Sequence, residues 1–128
     1  MGKTIAYAGI PISLGSYGPG QEKAPQAFRK AGFLQMLRQK GLTVVDIGDL
    51  PVRRWHPDKK NLFAQHWEAV VGCVQETDAH LSESVRQGHI PVVIGGNCTI
   101  ALGLVAASLR RPNSLGVIYL DPWTCTRT

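Results

Sequence analysis

Two short apolar runs that end abruptly in polar residues constrain the fold more than any other feature of this chain. The first run, Ile90–Ile94, leads into Gly95-Gly-Asn-Cys-Thr99, and the second, Leu115–Leu120, leads into Asp121. This pattern is typical of buried parallel strands that deliver side chains to a site at their carboxyl ends. We therefore predict a sheet with a ligand site along one edge.

Strand and helix signals alternate along the rest of the chain. Such alternation predicts an α/β fold, a parallel sheet of about four strands with helices on both faces, in a single domain covering residues 1–128. The predicted strands are Thr4–Ala8, Leu42–Ile47, Ile90–Ile94 and Leu115–Leu120, and the predicted helices run from Pro25 to a stop at Gly41, over Leu62–Gln87 and over Thr99–Leu109.

The charge and composition of the chain exclude some classes of binding partner. The net charge is +5, but the basic residues are dispersed and no aromatic-rich basic stripe is visible, so we expect no nucleic-acid partner. No apolar stretch is long enough to cross a membrane, and no signal peptide is recognisable, so we expect a cytoplasmic protein. Cys73, Cys98 and Cys125 are odd in number and widely spaced, so they do not predict a disulfide framework, and Cys73 fits a helix core.

An ordered set of motifs resembles the N-terminal portion of the arginase/agmatinase (ureohydrolase) family. There, a glycine-rich loop at the substrate entrance precedes a helix that starts at a proline and carries an arginine. We assign Gly15, Gly18 and Gly20 to that entrance loop. The matching segments are Ile10-Pro-Ile-Ser-Leu-Gly15, Pro19-Gly20, Pro25, Phe28-Arg-Lys-Ala-Gly32, Val44-Val-Asp-Ile-Gly-Asp-Leu-Pro51, Ile94-Gly-Gly-Asn-Cys-Thr99 and Leu115–Asp121.

The resemblance implies a partial arginase-like three-layer α/β/α sandwich. It also implies hydrolysis of a C–N bond in a guanidino or linear amidine compound at a binuclear manganese site. In such a site, two metal ions activate a bridging water near neutral pH. Mn²⁺ prefers oxygen and imidazole ligands, and the family's motifs are rich in aspartate and histidine for that reason.

The family's metal ligands are only partly retained here. Cys98 stands where the family has a histidine, and Asn97 stands where it has the preceding aspartate. Asp121 matches the first aspartate of the second motif, Trp123 falls at its histidine, and Cys125 falls at its second aspartate. We therefore expect Mn²⁺ not to be fully bound and the chain to have little or no activity by itself. A small soft-metal site of Cys98, Asp121 and Cys125 is the alternative for residual metal binding.

The residues after Asp121 depart from the family. We expect a truncated arginase-like domain. One hypothesis is that the tail is an out-of-frame reading of the gene. The codons from Trp123 onward, when read with a shift of two bases, encode Asp and then an apolar residue. The alternative function is a non-catalytic arginase-like subunit or binding protein. In that case the chain is expected to form a homo-oligomer or to associate with a full-length relative through its exposed sheet.

Overall fold

The computed structural model describes residues 2–112 and 115–120, and they form a three-layer α/β/α arrangement. Three strands make the sheet: β1 (Thr4–Ile10), β2 (Thr43–Asp49) and β3 (Ile90–Gly95). The strands are parallel and lie in the order β2-β1-β3. The predicted α/β class and the parallel sheet are confirmed. In the part of the chain that the structure describes, no helix is long and apolar enough to span a membrane.

Helices cover both faces of the sheet, as predicted. On one face lie α1 (Ala24–Lys30), which follows a 3₁₀ turn (Gln21–Lys23), and α2 (Phe33–Gln39). Tyr7 of β1 points to this face, where its ring lies 6.0 Å from that of Phe33. On the other face lie α3 (Trp67–Arg86) and α4 (Ile100–Ser108), which pack closely together.

Successive side chains of a strand point to opposite faces of the sheet, and this alternation directs every second residue of β1 into the core against α3. Ala8 and Ile10 point away from Tyr7 and are fully buried, Ala8 against Leu81 and Val85 of α3. Cys73 belongs to the adjoining cluster with Ile10, so its predicted core position is confirmed. β1 is thus buried on both faces, as expected for a central parallel strand.

The predicted fourth strand is not formed. Residues 115–120 have no regular secondary structure, and their apolar side chains are exposed, Ile118 and Leu120 by about nine-tenths. The prediction rested on the apolar run alone, but a strand also requires a neighbouring strand to which its backbone can bond. The described sheet therefore has three strands where we predicted about four.

Two helix predictions also need correction. The helix predicted from Pro25 to Gly41 is two helices, because Gly32 adopts a left-handed conformation (φ 76°) between α1 and α2. The helix predicted from Leu62 begins instead at Trp67, and His66 precedes it with φ 52°. The predicted stop at Gly88 is confirmed: Gly88 has φ 81°, and the amide of His89 donates to the Ser84 carbonyl at 3.0 Å.

Candidate functional site

The carboxyl ends of β1 and β3 are joined beyond the strands themselves. The amide of Gly96 donates to the carbonyl oxygen of Ile10 at 3.1 Å, and the amide of Asn97 donates to that of Ile12 at 3.0 Å. A Cβ atom at Gly96 would lie 1.7 Å from the Ile12 carbonyl oxygen, so only glycine fits there. The Gly95-Gly96 pair at the end of β3 therefore allows two backbone segments to meet at the edge where the site was predicted.

Asn97 is held at the centre of this edge. Its side chain is 8% exposed, and its Oδ1 accepts a hydrogen bond of 2.5 Å from the Thr99 hydroxyl. Its Nδ2 is buried and has no hydrogen-bond partner among the described residues. An aspartate at this position would offer a second carboxylate oxygen in place of that amide nitrogen. The amide is a donor there, so it cannot ligate a cation through this atom.

Cys98 lies next to Asn97, just before the start of α4, and it is exposed. Its position on the rim of the sheet agrees with the predicted edge site. The other two predicted metal ligands, Asp121 and Cys125, lie outside the described residues.

The loop predicted to form the substrate entrance, called the entrance loop below, meets this edge at one of its three glycines. A Cβ at Gly15 would lie 3.1 Å from Asn97 Nδ2, so Gly15 is in contact with the end of β3. Gly18 and Gly20 have open space around them, and Gly20 adopts φ 135°, a conformation that favours glycine. The structure therefore brings Gly15 to the candidate site and leaves Gly18 and Gly20 farther along the loop.

A buried glutamate anchors the entrance loop. Glu22 is 5% exposed, and its Oε2 accepts a hydrogen bond of 2.6 Å from the amide of Gly20. Burial disfavours the charged form of Glu22, but the hydrogen bonds from Gly20 and Ser13 and the charge of Arg54 outweigh it and lower the pKa of Glu22. Glu22 was not predicted as a site residue from the sequence; its signal was an acidic side chain two positions after a glycine that precedes a helical turn.

A second feature missed from the sequence lies at the end of β2. The guanidinium group of Arg29 donates to Asp46 at 2.5 and 2.9 Å and to Asp49 at 2.6 Å, and it lies 4.9 Å from the centre of the Tyr7 ring. These hydrogen bonds hold the pKa of Asp46 below its usual value. Both carboxylates at the end of β2 thus bind α1 through Arg29.

The described residues do not fit a pair of Mn²⁺ ions. At the end of β3 the chain offers an amide and a thiol, whereas Mn²⁺ favours carboxylate and imidazole ligands. Over residues 2–112 and 115–120, no group of three or more histidine, cysteine, aspartate or glutamate side chains could hold a metal ion. No chemical step can therefore be assigned to a metal at this site.

Beside the entrance loop lies a cavity of about 200 Å³. Asp58 lines this cavity and holds the surrounding backbone in place. The Asp58 carboxylate accepts hydrogen bonds from the amides of His66, Lys60 and Asn61 at 3.0 to 3.2 Å. These bonds, that from His66 above all, lower the pKa of Asp58 to about 2. The cavity is lined by Ser16, Tyr17, Trp55, Pro57, Asp58, Lys59, Leu62 and Gln65.

Fold and site together define a class: an α/β protein with a parallel sheet whose candidate site is built where β1 and β3 end. Comparison with known proteins identifies the family. The sequence model of the Arginase family matches residues 3–124, and the chain belongs to this family. The resemblance to ureohydrolases that the motifs indicated is thereby confirmed.

Individual relatives agree with this assignment. The chain is 31% identical to an arginase from Bacillus subtilis over 121 residues, which is 94% of this chain and 40% of that protein. It is 31% identical to human arginase-1 over 126 residues, or 98% of this chain and 39% of that protein. The crystal structure of arginase from Bacillus cereus superimposes with a TM-score of 0.71 at 28% identity, covering 82% of this chain and 34% of that one. The chain thus spans about 40% of the length of the curated relatives it matches.

Proposed function

We propose that this chain provides the N-terminal sheet scaffold of a ureohydrolase, a hydrolase of C–N bonds in guanidino or linear amidine compounds. Family membership supports the reaction class, and relatives named arginase match nearly the whole of this chain. The structural observation that carries the proposal is the junction of Gly96 and Asn97 with the loop after β1. It supports the proposal because Asn97 and Cys98, which the resemblance aligns with two of the family's metal ligands, follow β3 at the edge of the sheet where α/β proteins bind ligands.

We further propose that this chain does not hydrolyse such substrates by itself. Asn97 and Cys98 replace a carboxylate and an imidazole, and the two carboxylates at the end of β2 are occupied by Arg29. Two dications in a confined site need several anionic ligands to balance their charge, and the described residues do not supply them. The scaffold is therefore retained while the ligand set is lost.

The test uses a chimera in which residues 3–120 of this chain replace the matching segment of Bacillus subtilis arginase. That arginase then supplies everything that follows residue 120. We expect no manganese-dependent urea release from arginine with Asn97 and Cys98 in place, and measurable release in the double variant Asn97→Asp/Cys98→His. Release from both chimeras would contradict the loss of the ligand set. Release from neither, with both folded by circular dichroism, would contradict the role as a scaffold.

A non-catalytic subunit or binding protein is the second candidate function. The observation that favours it is a segment without charge: residues 90–109, which form β3 and α4, contain no acidic or basic side chain. Natural sheets usually protect an exposed edge with charges. Under this function the chain co-purifies with a partner and shows no turnover, whereas manganese-dependent urea release by the chain alone would favour the enzyme.

A further inference from the structure

A second cavity, of about 330 Å³, lies between the turn that joins α3 to β3 and the end of α4. Because β3 starts at this turn, the cavity lies at the amino ends of the strands, away from the candidate site at their carboxyl ends. Half of its lining residues are arginines, although the basic residues of this chain are dispersed along the sequence. The cavity is lined by Val85, Arg86, Gly88, Arg110, Arg111 and Pro112.

Hydrogen bonds hold the walls of this cavity to each other. The guanidinium group of Arg111, which follows α4, donates to the carbonyl oxygen of His89 in the turn before β3. Arg110 donates to the carboxylate of Asp78 on α3, through Nε at 3.0 Å and through Nη2 at 2.5 Å. Gly88 adopts φ 81° and turns the chain from α3 into β3. The cavity is therefore bounded by two segments that are bonded to each other, and no open edge of the sheet takes part in it.

The three arginines keep hydrogen-bond donors that no described residue uses. Glu83 accepts from Nε and Nη2 of Arg86 at 3.2 and 2.9 Å, and Asp78 accepts from the same two nitrogens of Arg110. These bonds occupy one edge of each guanidinium group and leave its Nη1 without a bond to a described residue. Nε of Arg111 is buried and has no hydrogen-bond partner in residues 2–112 and 115–120. The groups that remain free beside the cavity are thus donors that carry positive charge.

A phosphate group matches these donors better than a cation or a carboxylate does. Guanidinium groups stay charged at every physiological pH and only donate hydrogen bonds, so they repel cations. Neither Asp78 nor Glu83 lines the cavity, and the Ser84 carbonyl at the end of α3 already accepts a bond from the amide of His89 at 3.0 Å. A carboxylate has two oxygens and suits a single arginine, whereas a phosphate group has enough oxygens and charge to bind several arginines at once.

We propose that this cavity binds a phosphate group, either as inorganic phosphate or as the phosphate ester of a small molecule. Arg86, Arg110 and Arg111 donate hydrogen bonds to its oxygens from three sides of the cavity. Val85 and Pro112 supply the apolar part of the lining, which suits the organic part of an ester. The proposal concerns binding alone and does not depend on whether the chain has catalytic activity.

The first test is calorimetric titration of the chain with inorganic phosphate and with phenyl phosphate, with sodium chloride keeping the ionic strength constant. We expect saturable binding of a single phosphate group. Arg111→Gln is expected to weaken this binding by about tenfold or more, because hydrogen bonds to a charged group are lost. The matched control is Arg38→Gln: Arg38 is exposed, donates to the Val44 carbonyl at 3.3 Å and does not line the cavity. It removes the same charge and is expected to leave the phosphate affinity unchanged.

Arg86→Gln serves as a second variant in case the loss of the Arg111 contact to His89 unfolds the chain. The Arg86 side chain is 58% exposed and pairs with Glu83 on the surface, so the fold should be retained, as checked by circular dichroism. We expect this variant also to weaken phosphate binding. Tighter binding of phenyl phosphate would assign the site to an ester, and equal binding would assign it to the free ion; both support the proposal. No saturable binding of either compound, or an equal loss of affinity in Arg38→Gln and Arg86→Gln, would overturn it.

Discussion

Gly96 lies directly against Ile12, and the absence of a side chain at Gly96 makes this contact possible. The Ile12 carbonyl oxygen would be 1.7 Å, and its carbonyl carbon 2.6 Å, from a Cβ at Gly96. The next residue, Asn97, donates its amide to the same carbonyl oxygen. The position of Asn97 and Cys98 relative to the entrance loop therefore depends on the absence of a side chain at Gly96.

Gly96→Ala is expected to destabilise the fold by about 1–3 kcal/mol, because backbone atoms cannot yield as a flexible side chain can. The measurement is the midpoint of urea unfolding followed by circular dichroism. Gly72→Ala is the matched control, because Gly72 lies inside α3 and a Cβ added there would have no atom within 4 Å. It is expected to stabilise the chain by about 0.5–1 kcal/mol, since alanine is the better helix former. Equal midpoints for the two variants would contradict the close approach at Gly96.

The ion pairs of Arg29 predict a dependence of stability on pH. Arg29 lowers the pKa of Asp46 in the folded state. The ion pair therefore stabilises the fold at pH values above the pKa of Asp46 in the unfolded chain, near 3.8. This stabilisation is lost as the pH falls through the lower pKa that Asp46 has in the folded state. Unfolding curves from pH 6 down to pH 2 should show this loss, and Asp46→Asn should make that part of the profile flatter.

At pH 7, Asp46→Asn is expected to cost about 1 kcal/mol, a modest value because the Asp46 side chain is 35% exposed and its charge is partly screened. Glu83→Gln provides the control, since Glu83 pairs with Arg86 on the surface and its side chain is 66% exposed. Its effect should be smaller than that of Asp46→Asn. A pH profile that Asp46→Asn leaves unchanged would show that the Arg29 contacts do not stabilise the fold.

The end of β3 could be predicted from the sequence, whereas the role of Arg29 could not. An apolar run followed by two glycines and polar residues is a local signal, and β1, β2 and β3 were all located by such runs. Arg29 lies 17 and 20 residues before its two carboxylate partners. The ion pairs depend on how α1 packs over the sheet, so the spacing of these residues in the sequence does not predict them.

The errors in the sequence prediction share a physical cause. Apolar periodicity continues from Phe28 across Gly32 to Leu37, but a left-handed glycine ends one helix and begins another. Phe63 continues the helical pattern of α3 toward the N-terminus, yet it is fully exposed in a loop tied to Asp58. In both cases a backbone conformation or a hydrogen bond ends the helix, although the apolar periodicity of the sequence continues.

Chemical labelling should distinguish the two described cysteines. Cys73 is 3% exposed, and burial raises the pKa of its thiol, so little reactive thiolate is present at neutral pH. Cys98 is exposed on the rim of the sheet. Iodoacetamide at pH 7.5 should modify Cys98 at least tenfold faster than Cys73, as measured by mass spectrometry of the separated peptides. In 8 M urea the two rates should become similar; a Cys73 that reacts first in the folded state would contradict the described packing of α3.

The soft-metal site predicted from the sequence combines Cys98 with Asp121 and Cys125, which lie outside the described residues. Such a site would favour a softer ion than Mn²⁺, because thiolate binds Zn²⁺ strongly and Mn²⁺ poorly. Calorimetric titration should therefore show tighter binding of Zn²⁺ than of Mn²⁺, and Cys98→Ser should weaken Zn²⁺ binding at least tenfold. Cys73→Ser is the matched control, since that buried thiol lies in the core and should not affect either titration. Tighter binding of Mn²⁺, or Zn²⁺ binding that survives Cys98→Ser, would exclude Cys98 as the ligand that the end of β3 supplies.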